Sequence, residues 1–232
     1  WRDDAAFVRR QLAGTRTVLD WFTERLRPDG LLGRLPWWNF LDWCDDFAEG
    51  VPPQDADGGS VPLSLQFALA LREAADLEQA LGEPERAARH RQRADAIVEG
   101  ARRLAWDAGR GLLADTPARK RFSQQTNILA LLAGAAPAGQ AKPLLDRILA
   151  MPRPSIQDAG RKGTGFEGVA RASVYFRFYL SRALEALGEG ERYLPELEPW
   201  REMLDVGPSP FAETPSAATR SPHPPTDVRQ GG

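Results

Sequence analysis

The sequence predicts an all-α protein whose helices form two layers. Apolar residues recur with a spacing of three and four over long stretches, and no stretch shows the alternation typical of a β-strand. Some helical segments are apolar on one face, whereas others are apolar nearly all round. This difference indicates an inner layer of buried helices covered by an outer layer of amphipathic ones.

The first helix is predicted to cover residues 5–26, and a helical hairpin is predicted to cover residues 63–106. Apolar positions on the first helix are Phe7, Leu12, Val18, Leu19 and Phe22. In the hairpin they are Leu63, Phe67, Ala70, Leu71, Ala74, Leu77 and Leu81 on the first arm, and Ala94, Ile97, Val98, Ala101 and Leu104 on the second. Gly82 ends the first arm, and Pro84 suits the first turn of the second.

Two later stretches are predicted to be inner helices. The stretch "TNILALLAG" is apolar nearly all round, with Ser123 as its N-cap and Gly134 as its stop. The stretch "VARASVYFRFYLSRALEALG", residues 169–188, is predicted to be one helix that is buried on more than one side. Residues 1–207 are therefore predicted to form one helical domain. Residues 208–232, rich in Pro, Ser, Thr and Gly, are predicted to be a loop and a disordered tail.

Composition excludes several classes of function. The net charge of −2 gives no sign of a surface for nucleic acid or anionic membrane, and no apolar run approaches the ~18 residues of a membrane span. One cysteine and two histidines favour neither a disulfide framework nor a zinc site, and no metal or cofactor is expected. No signal peptide begins the sequence, so a cytoplasmic location is expected. Because Trp1 is not an initiator residue, we expect a longer parent chain, which could carry a targeting segment.

The stretch "LPWWNFLDWC", residues 35–44, is the first candidate site. It places Trp38, Asn39, Asp42 and Trp43 close together, and this mixture suits a sugar. Aromatic rings pack against the apolar C–H face of a sugar ring, while carboxylates and amides bind its hydroxyls. The alternative is that the tryptophans belong to the core and that Asp42 caps a neighbouring helix. The spacing favours neither interpretation over the other.

Glu213, in the Pro-flanked stretch "SPFAET", is the second candidate. Loops at one end of a helical scaffold often carry catalytic groups, although the spacing alone favours an ordinary surface glutamate. Other chemistries lack support, because no phosphate-binding loop and no nucleophile elbow is present. Cys44 is a poor nucleophile, since the acidic residues beside it raise the pKa of its thiol.

Three segments resemble bacterial α-L-rhamnosidases of glycoside hydrolase family 78. They are "GLLGRLPWWNFLDWCDDFAEGVPP", "GLLADTPARKRFSQQTNILALLAG" and "FRFYLSRALEALGEGERYLPELEPWREMLDVGPSPFAETPSAATRS". The resemblance runs from about Asp4 to Ser221, and the first and third segments are the specific ones. It implies an (α/α)6 toroid of helical hairpins, of which this chain holds an incomplete part. It also implies inverting hydrolysis of terminal α-L-rhamnosides.

The resemblance assigns roles to particular residues. It implies that Glu213 is the general base, because relatives carry "TTFAET" at this position. It places Asp42 among the groups that bind rhamnose hydroxyls, with Asn39 beside it and Trp38 or Trp43 flanking the ring. His223 falls near a histidine that relatives carry in "TRSDCHAW".

The sequence also departs from the family pattern. The general acid of the family lies in an acidic motif that contains Arg and Trp, and we find no such motif in residues 1–232. The stretch "SQQTN" lacks the histidine that relatives often have after the first Gln. We therefore expect a fragment with little activity, whose uncovered helical face causes self-association. The alternatives are another glycosidase or lyase on the same toroid, and a non-catalytic helical domain that binds carbohydrate or protein.

Overall fold

A computed structural model describes residues 4–44, 46–153 and 167–205. Seven α-helices and four two-residue strands lie in these ranges. The helices are α1 (Ala5–Thr23), α2 (Val61–Ala80), α3 (Pro84–Ala105), α4 (Gln124–Ala133), α5 (Ala141–Ala150), α6 (Arg177–Ala186) and α7 (Glu198–Asp205). A 3₁₀ helix, Gly190–Leu197, precedes α7. The strands are β1 (Trp106–Asp107), β2 (Leu112–Leu113), β3 (Phe122–Ser123) and β4 (Val169–Ala170).

The helices form an inner and an outer layer, as the sequence predicts. Helix α4 packs against α2 on one side and α6 on the other, so these three helices form the inner layer. Nine of the ten residues of α4 are buried, whereas α5 buries only Leu144, Leu145 and Ile148. The all-α class is therefore confirmed, and the difference in burial follows the difference in hydrophobic pattern.

The predicted hairpin is confirmed as α2 and α3, with Gly82 at a φ of +84° between them. Both ends of α4 also match their sequence signals. The hydroxyl of Ser123 accepts a hydrogen bond from the Thr126 amide, and Gly134 adopts the left-handed conformation at a φ of +68°. A glycine is favoured there because a side chain would strain this backbone conformation.

Helix α1 ends at Thr23, three residues before the predicted end. Its N-cap is Asp4, whose carboxylate accepts a hydrogen bond from the Phe7 amide. A bidentate pair joins α1 to α2, with Arg16 nitrogens 2.8 and 2.7 Å from the two Glu78 carboxylate oxygens. This pair lowers the pKa of the buried Glu78 carboxyl, because the guanidinium stabilises its charged form.

The prediction of one helix over residues 169–188 is wrong for its first part. Residues Val169 and Ala170 form β4, which pairs in parallel with Phe122 and Ser123 of β3. Helix α6 begins only at Arg177, because backbone amides before it donate to side chains of other segments. Helical periodicity alone does not distinguish this arrangement from a continuous helix, since the buried positions fall on the same residues.

The described part of the chain contains no helix that is both long and apolar enough to cross a membrane. The predicted boundary at residue 207 and the predicted tail lie outside the described residues, as do Glu213 and His223. On α1, Phe7 and Val18 are exposed. The predicted self-association through an uncovered helical face stays a prediction.

Candidate functional site

Asp42 lies at the centre of a buried network of hydrogen bonds. Its carboxylate accepts hydrogen bonds from the Gln125 amide nitrogen at 2.6 Å, from the Ser173 backbone amide at 3.0 Å and from the Ser173 hydroxyl. Gln125 is the second residue of α4, and Ser173 lies just before α6. Asp42 therefore joins the loop before α2 to the starts of two other inner helices. These three residues are called the Asp42 network below.

Asp42 does not face an open concavity, because it is 0% exposed. Its surroundings agree better with the alternative of a structural acceptor near a helix start. The Ser173 hydroxyl that donates to Asp42 also accepts a hydrogen bond from the Phe176 amide at 3.2 Å, at the entrance to α6. The predicted contact of Asp42 with a sugar stays a prediction, and it requires a rearrangement that opens this site.

The tryptophans that flank Asp42 face outward. The rings of Trp38, Phe40 and Trp43 form a cluster with centroid distances of 5.1, 5.9 and 5.2 Å. Trp38 is 59% exposed and Trp43 is 42% exposed, so these two rings are not core residues. The three rings are called the ring cluster below, and they offer an aromatic surface to a ligand.

Backbone contacts hold the ring cluster in place. The Trp38 indole N–H donates to the Glu49 carbonyl at 2.9 Å, and the Leu41 amide donates to the Gly50 carbonyl at 2.9 Å. Gly50 has a φ of +75°, and a Cβ there would lie 2.6 Å from the Phe40 ring. Only glycine fits this position, so the loop folds back on itself beneath the rings.

Trp38 and Asn39 also line a cleft between the loop and helices α1 and α2. The cleft has a volume of about 490 Å³, and most of its walls are apolar side chains, including Phe22 and Phe67. The Asn39 amide nitrogen donates to the carbonyls of Leu35 and Trp37, which fixes the side chain. Trp38 thus belongs to both the ring cluster and the cleft, whereas Asn39 lines the cleft and Trp43 belongs to the ring cluster alone. Their predicted role in binding a sugar stays a prediction.

A second buried carboxylate, Asp115, was not among the predicted site residues. Its Oδ1 atom accepts hydrogen bonds from the hydroxyls of Ser123 and Thr126, both at 2.6 Å. Burial raises the pKa of Asp115, although these two hydroxyls act in the opposite direction. Polar residues at the start of an otherwise apolar helix are the sequence signal that could have revealed this network. These three residues are called the Asp115 network below.

Gln125 was also missed, although the stretch "SQQTN" drew attention to the sequence around it. Its amide nitrogen donates to Asp42 and to the Arg171 carbonyl, while its amide oxygen has no hydrogen-bond partner among the described residues. Only the fold shows that this side chain meets Asp42, because the two residues lie far apart in the sequence.

Cys44 does not supply a nucleophile. Burial and the neighbouring Asp42 carboxylate raise the pKa of its thiol to about 12. The thiol is therefore protonated at neutral pH, as the sequence predicts. Among the described residues, no group of three or more His, Cys, Asp or Glu side chains is arranged to hold a metal ion.

The fold resembles that of two solved rhamnosidases. One is a GH78 family rhamnosidase of Bacillus sp. GL1, with 23% identity, a TM-score of 0.69, and coverage of 87% of this chain and 20% of that chain. The other is a rhamnosidase from Klebsiella oxytoca with rhamnose bound, with 20% identity, a TM-score of 0.68, and coverage of 91% of this chain and 36% of that chain. No family model and no curated protein matches the sequence. The chain therefore has a glycoside hydrolase-like fold and spans only part of the length of these two proteins.

Proposed function

We propose that this chain is part of the catalytic toroid of an α-L-rhamnosidase. The observation that carries the proposal is the agreement between two independent likenesses. The sequence motifs resemble family 78, and the fold of the described residues resembles two rhamnosidases that share little sequence with the chain. Fold alone does not define a reaction, so the motifs around Trp43 and Glu213 supply the chemistry.

The proposed reaction inverts the configuration of the sugar carbon. One carboxylic acid protonates the leaving oxygen, and a carboxylate across a gap of about 6.5–9.5 Å activates a water molecule. Glu213 is proposed as the general base. The general acid is proposed to come from outside residues 1–232, because no motif of the expected kind occurs among them.

The ring cluster is proposed to form one wall of the rhamnose site. Trp38 and Trp43 are exposed, and their rings are held by the folded loop rather than left to rotate freely. Rigid rings lose little conformational entropy when a sugar packs on them. Asn39 would offer its amide to a hydroxyl, and His223 is proposed as a further contact.

The proposal predicts very weak hydrolysis by the chain alone. General acid catalysis is worth roughly 10²–10⁴-fold, and a nitrophenyl leaving group needs it less than a sugar does. Any residual rate should therefore appear on nitrophenyl α-L-rhamnoside and not on a rhamnosyl disaccharide. Glu213→Gln should abolish that rate, whereas the exposed Glu185→Gln should leave it unchanged. Rapid turnover of the disaccharide would contradict the proposal, because it would require a complete acid–base pair within these residues.

The exposed ring cluster also supports a second candidate, a non-catalytic domain that binds carbohydrate. This candidate predicts no rate on either substrate and a sugar affinity that Glu213→Gln does not change. Another glycosidase or lyase on the same toroid would instead act on sugars other than rhamnose. A panel of nitrophenyl glycosides would distinguish it from a rhamnosidase.

A further inference from the structure

A second cavity lies apart from the ring cluster. It has a volume of about 620 Å³ and contains none of the predicted site residues in its lining. Its walls come from the three segments that precede the inner helices α2, α4 and α6. The lining residues are Asp46, Phe47, Pro53, Asp115, Lys120, Arg121, Phe122, Gly168, Val169 and Ala170.

Two cations line this cavity, and the charge of one of them, Arg121, acts on the Asp115 carboxyl. Neither Lys120 nor Arg121 forms an ion pair or a side-chain hydrogen bond in the described residues, although many other arginines of the chain are paired. Two adjacent cations in the lining of one cavity favour an anionic ligand. A third, Arg110, lies over the Phe122 ring at 4.6 Å and adds positive charge nearby.

The carboxylates of the same cavity indicate that the ligand also carries hydroxyl groups. Asp46 is exposed on the cavity and would accept hydrogen bonds from hydroxyls. Asp115 is 1% exposed, and its Oδ1 atom is already bound by two hydroxyls, so its orientation is fixed. Burial raises the pKa of Asp115, whereas the two hydroxyls and the nearby charge of Arg121 act in the opposite direction.

Four buried apolar residues also line the cavity. Phe47 and Phe122 contribute rings, and Val169 and Ala170 contribute aliphatic surface. Polar atoms supply most of the surface that this cavity exposes, so its ligand is expected to be polar, and its volume of several hundred Å³ is that of a small-molecule site. The strand pair β3–β4 forms part of the wall, so the cavity is built on regular backbone pairing.

We propose that this cavity binds a hydroxylated anion, a sugar acid or a sugar phosphate, with Lys120 and Arg121 on the anionic group and Asp46 on the hydroxyls. The site does not depend on the proposed function. Its lining residues differ from those of the ring cluster, so each site can be tested while the other is intact.

The test titrates the full chain with D-glucuronate, D-glucose 6-phosphate, inorganic phosphate and D-glucose, and follows binding by calorimetry. We expect saturable binding of at least one of the two sugar anions, at least tenfold tighter than that of D-glucose. Preference for glucuronate would identify a sugar acid, and preference for glucose 6-phosphate would identify a sugar phosphate. Inorganic phosphate that binds as tightly as the sugar anions would contradict a role for the hydroxyls.

The double variant Lys120→Gln/Arg121→Gln should bind the sugar anion at least tenfold more weakly, because two charge-assisted contacts are lost. Both residues are exposed, so the fold should survive. The matched control is Arg9→Gln/Arg89→Gln, which removes two exposed cations outside the cavity and should leave the affinity unchanged. Equal loss in both double variants, unchanged affinity in the cavity variant, or no binding of either sugar anion would overturn the proposal. The double variant leaves the ring cluster intact, so its affinity for L-rhamnose tests the proposed function separately from this cavity.

Discussion

The loop at residues 35–44 has two regions with opposite surroundings. Asp42 is fully buried and accepts hydrogen bonds from the starts of α4 and α6, whereas Trp38 and Trp43 hold their rings in solvent. A carboxylate among aromatic residues is here the structural element, and the rings are the surface available to a ligand. Because Asp42 and the two rings lie within ten residues, the buried hydrogen bonds of Asp42 also hold the rings in place relative to the inner helices. Movement of the loop would break these hydrogen bonds.

The largest effect on stability is expected for Asp42→Ala. The variant leaves the Ser173 amide, the Ser173 hydroxyl and the Gln125 amide nitrogen without their acceptor. Each unsatisfied buried group costs about 1–3 kcal/mol. Because the Gln125 amide nitrogen keeps its bond to the Arg171 carbonyl, the free energy of unfolding should fall by the lower part of the sum, about 3–5 kcal/mol. Urea unfolding measures this loss. A loss below about 1 kcal/mol would mean that water or a rearranged loop replaces the carboxylate.

Asp42→Asn is the matched control for that experiment. It keeps one acceptor oxygen and the shape of the side chain, so it should lose less stability than Asp42→Ala. Equal losses in the two variants would indicate that the negative charge, rather than the acceptor geometry, holds the network together.

Asp115→Ala is expected to have the next largest effect. It leaves the hydroxyls of Ser123 and Thr126 without their acceptor at the start of α4, at a cost of about 2–3 kcal/mol. The measurement is again urea unfolding. Because the hydroxyls can rotate toward other acceptors, we expect a smaller loss than for Asp42→Ala, and the reverse order would contradict this ranking.

The raised pKa of Asp115 gives a pH dependence with a definite sign. The folded protein binds this proton more tightly than the unfolded chain, whose Asp pKa is about 3.9. The stabilisation that comes from protonated Asp115 is therefore fully present below about pH 4. It is lost from the free energy of unfolding as pH rises through the folded-state pKa. Asp115→Asn removes this component, so the stability difference between variant and parent should shift in favour of the variant as pH rises. A difference that is constant with pH would contradict the raised pKa.

Ser173→Ala should have a moderate effect. The Ser173 hydroxyl donates to Asp42 and accepts from the Phe176 amide, so its loss affects two bonds at the entrance to α6. The backbone amide of residue 173 still reaches Asp42, which limits the cost to about 1–2 kcal/mol. Amide hydrogen exchange in α6 should increase more than in α3, and equal exchange in both helices would argue against a local role.

The sequence predicts the helices better than the contacts between their ends. The hairpin of α2 and α3 is visible because its apolar spacing, Gly82 and Pro84 are all local signals. Helix α5 was not predicted, and β4 was placed in a helix, because two-residue pairing carries no periodicity of its own. The partners of Asp42 lie at residues 125 and 173, and no local rule connects positions so far apart.

For the candidate site, too, the sequence predicts local features but not contacts between distant residues. The composition of residues 35–44 selects Trp38, Asn39 and Trp43 as candidates, and the structure places Trp38 and Trp43 in the ring cluster and Trp38 and Asn39 at the cleft. The same composition could not decide whether Asp42 points toward a ligand or toward the protein. That choice depends on Gln125 and Ser173, whose arrival at the loop is a property of the whole fold.

The smallest effect on stability is expected for Trp43→Ala, below about 1 kcal/mol, because the side chain is 42% exposed. The effect of the same variant on sugar binding should be large. Affinity for L-rhamnose should fall at least tenfold, since a ring of the proposed sugar wall is removed. The control Trp37→Ala removes an even more exposed ring that stacks on Trp21 and is not part of the ring cluster. Equal loss of affinity in both variants would contradict the claim that Trp43 contacts the sugar and Trp37 does not.

The most direct test follows the seven tryptophan indole N–H signals by NMR while L-rhamnose is added. Single Trp→Phe variants assign the signals of Trp38 and Trp43. The account predicts that these two signals shift and saturate together, that the signal of Trp106 does not move, and that D-glucose produces smaller shifts at the same concentration. Signals of Trp38 and Trp43 that stay fixed with rhamnose, or that move equally with D-glucose, would contradict the claim that the exposed face of this loop recognises the sugar.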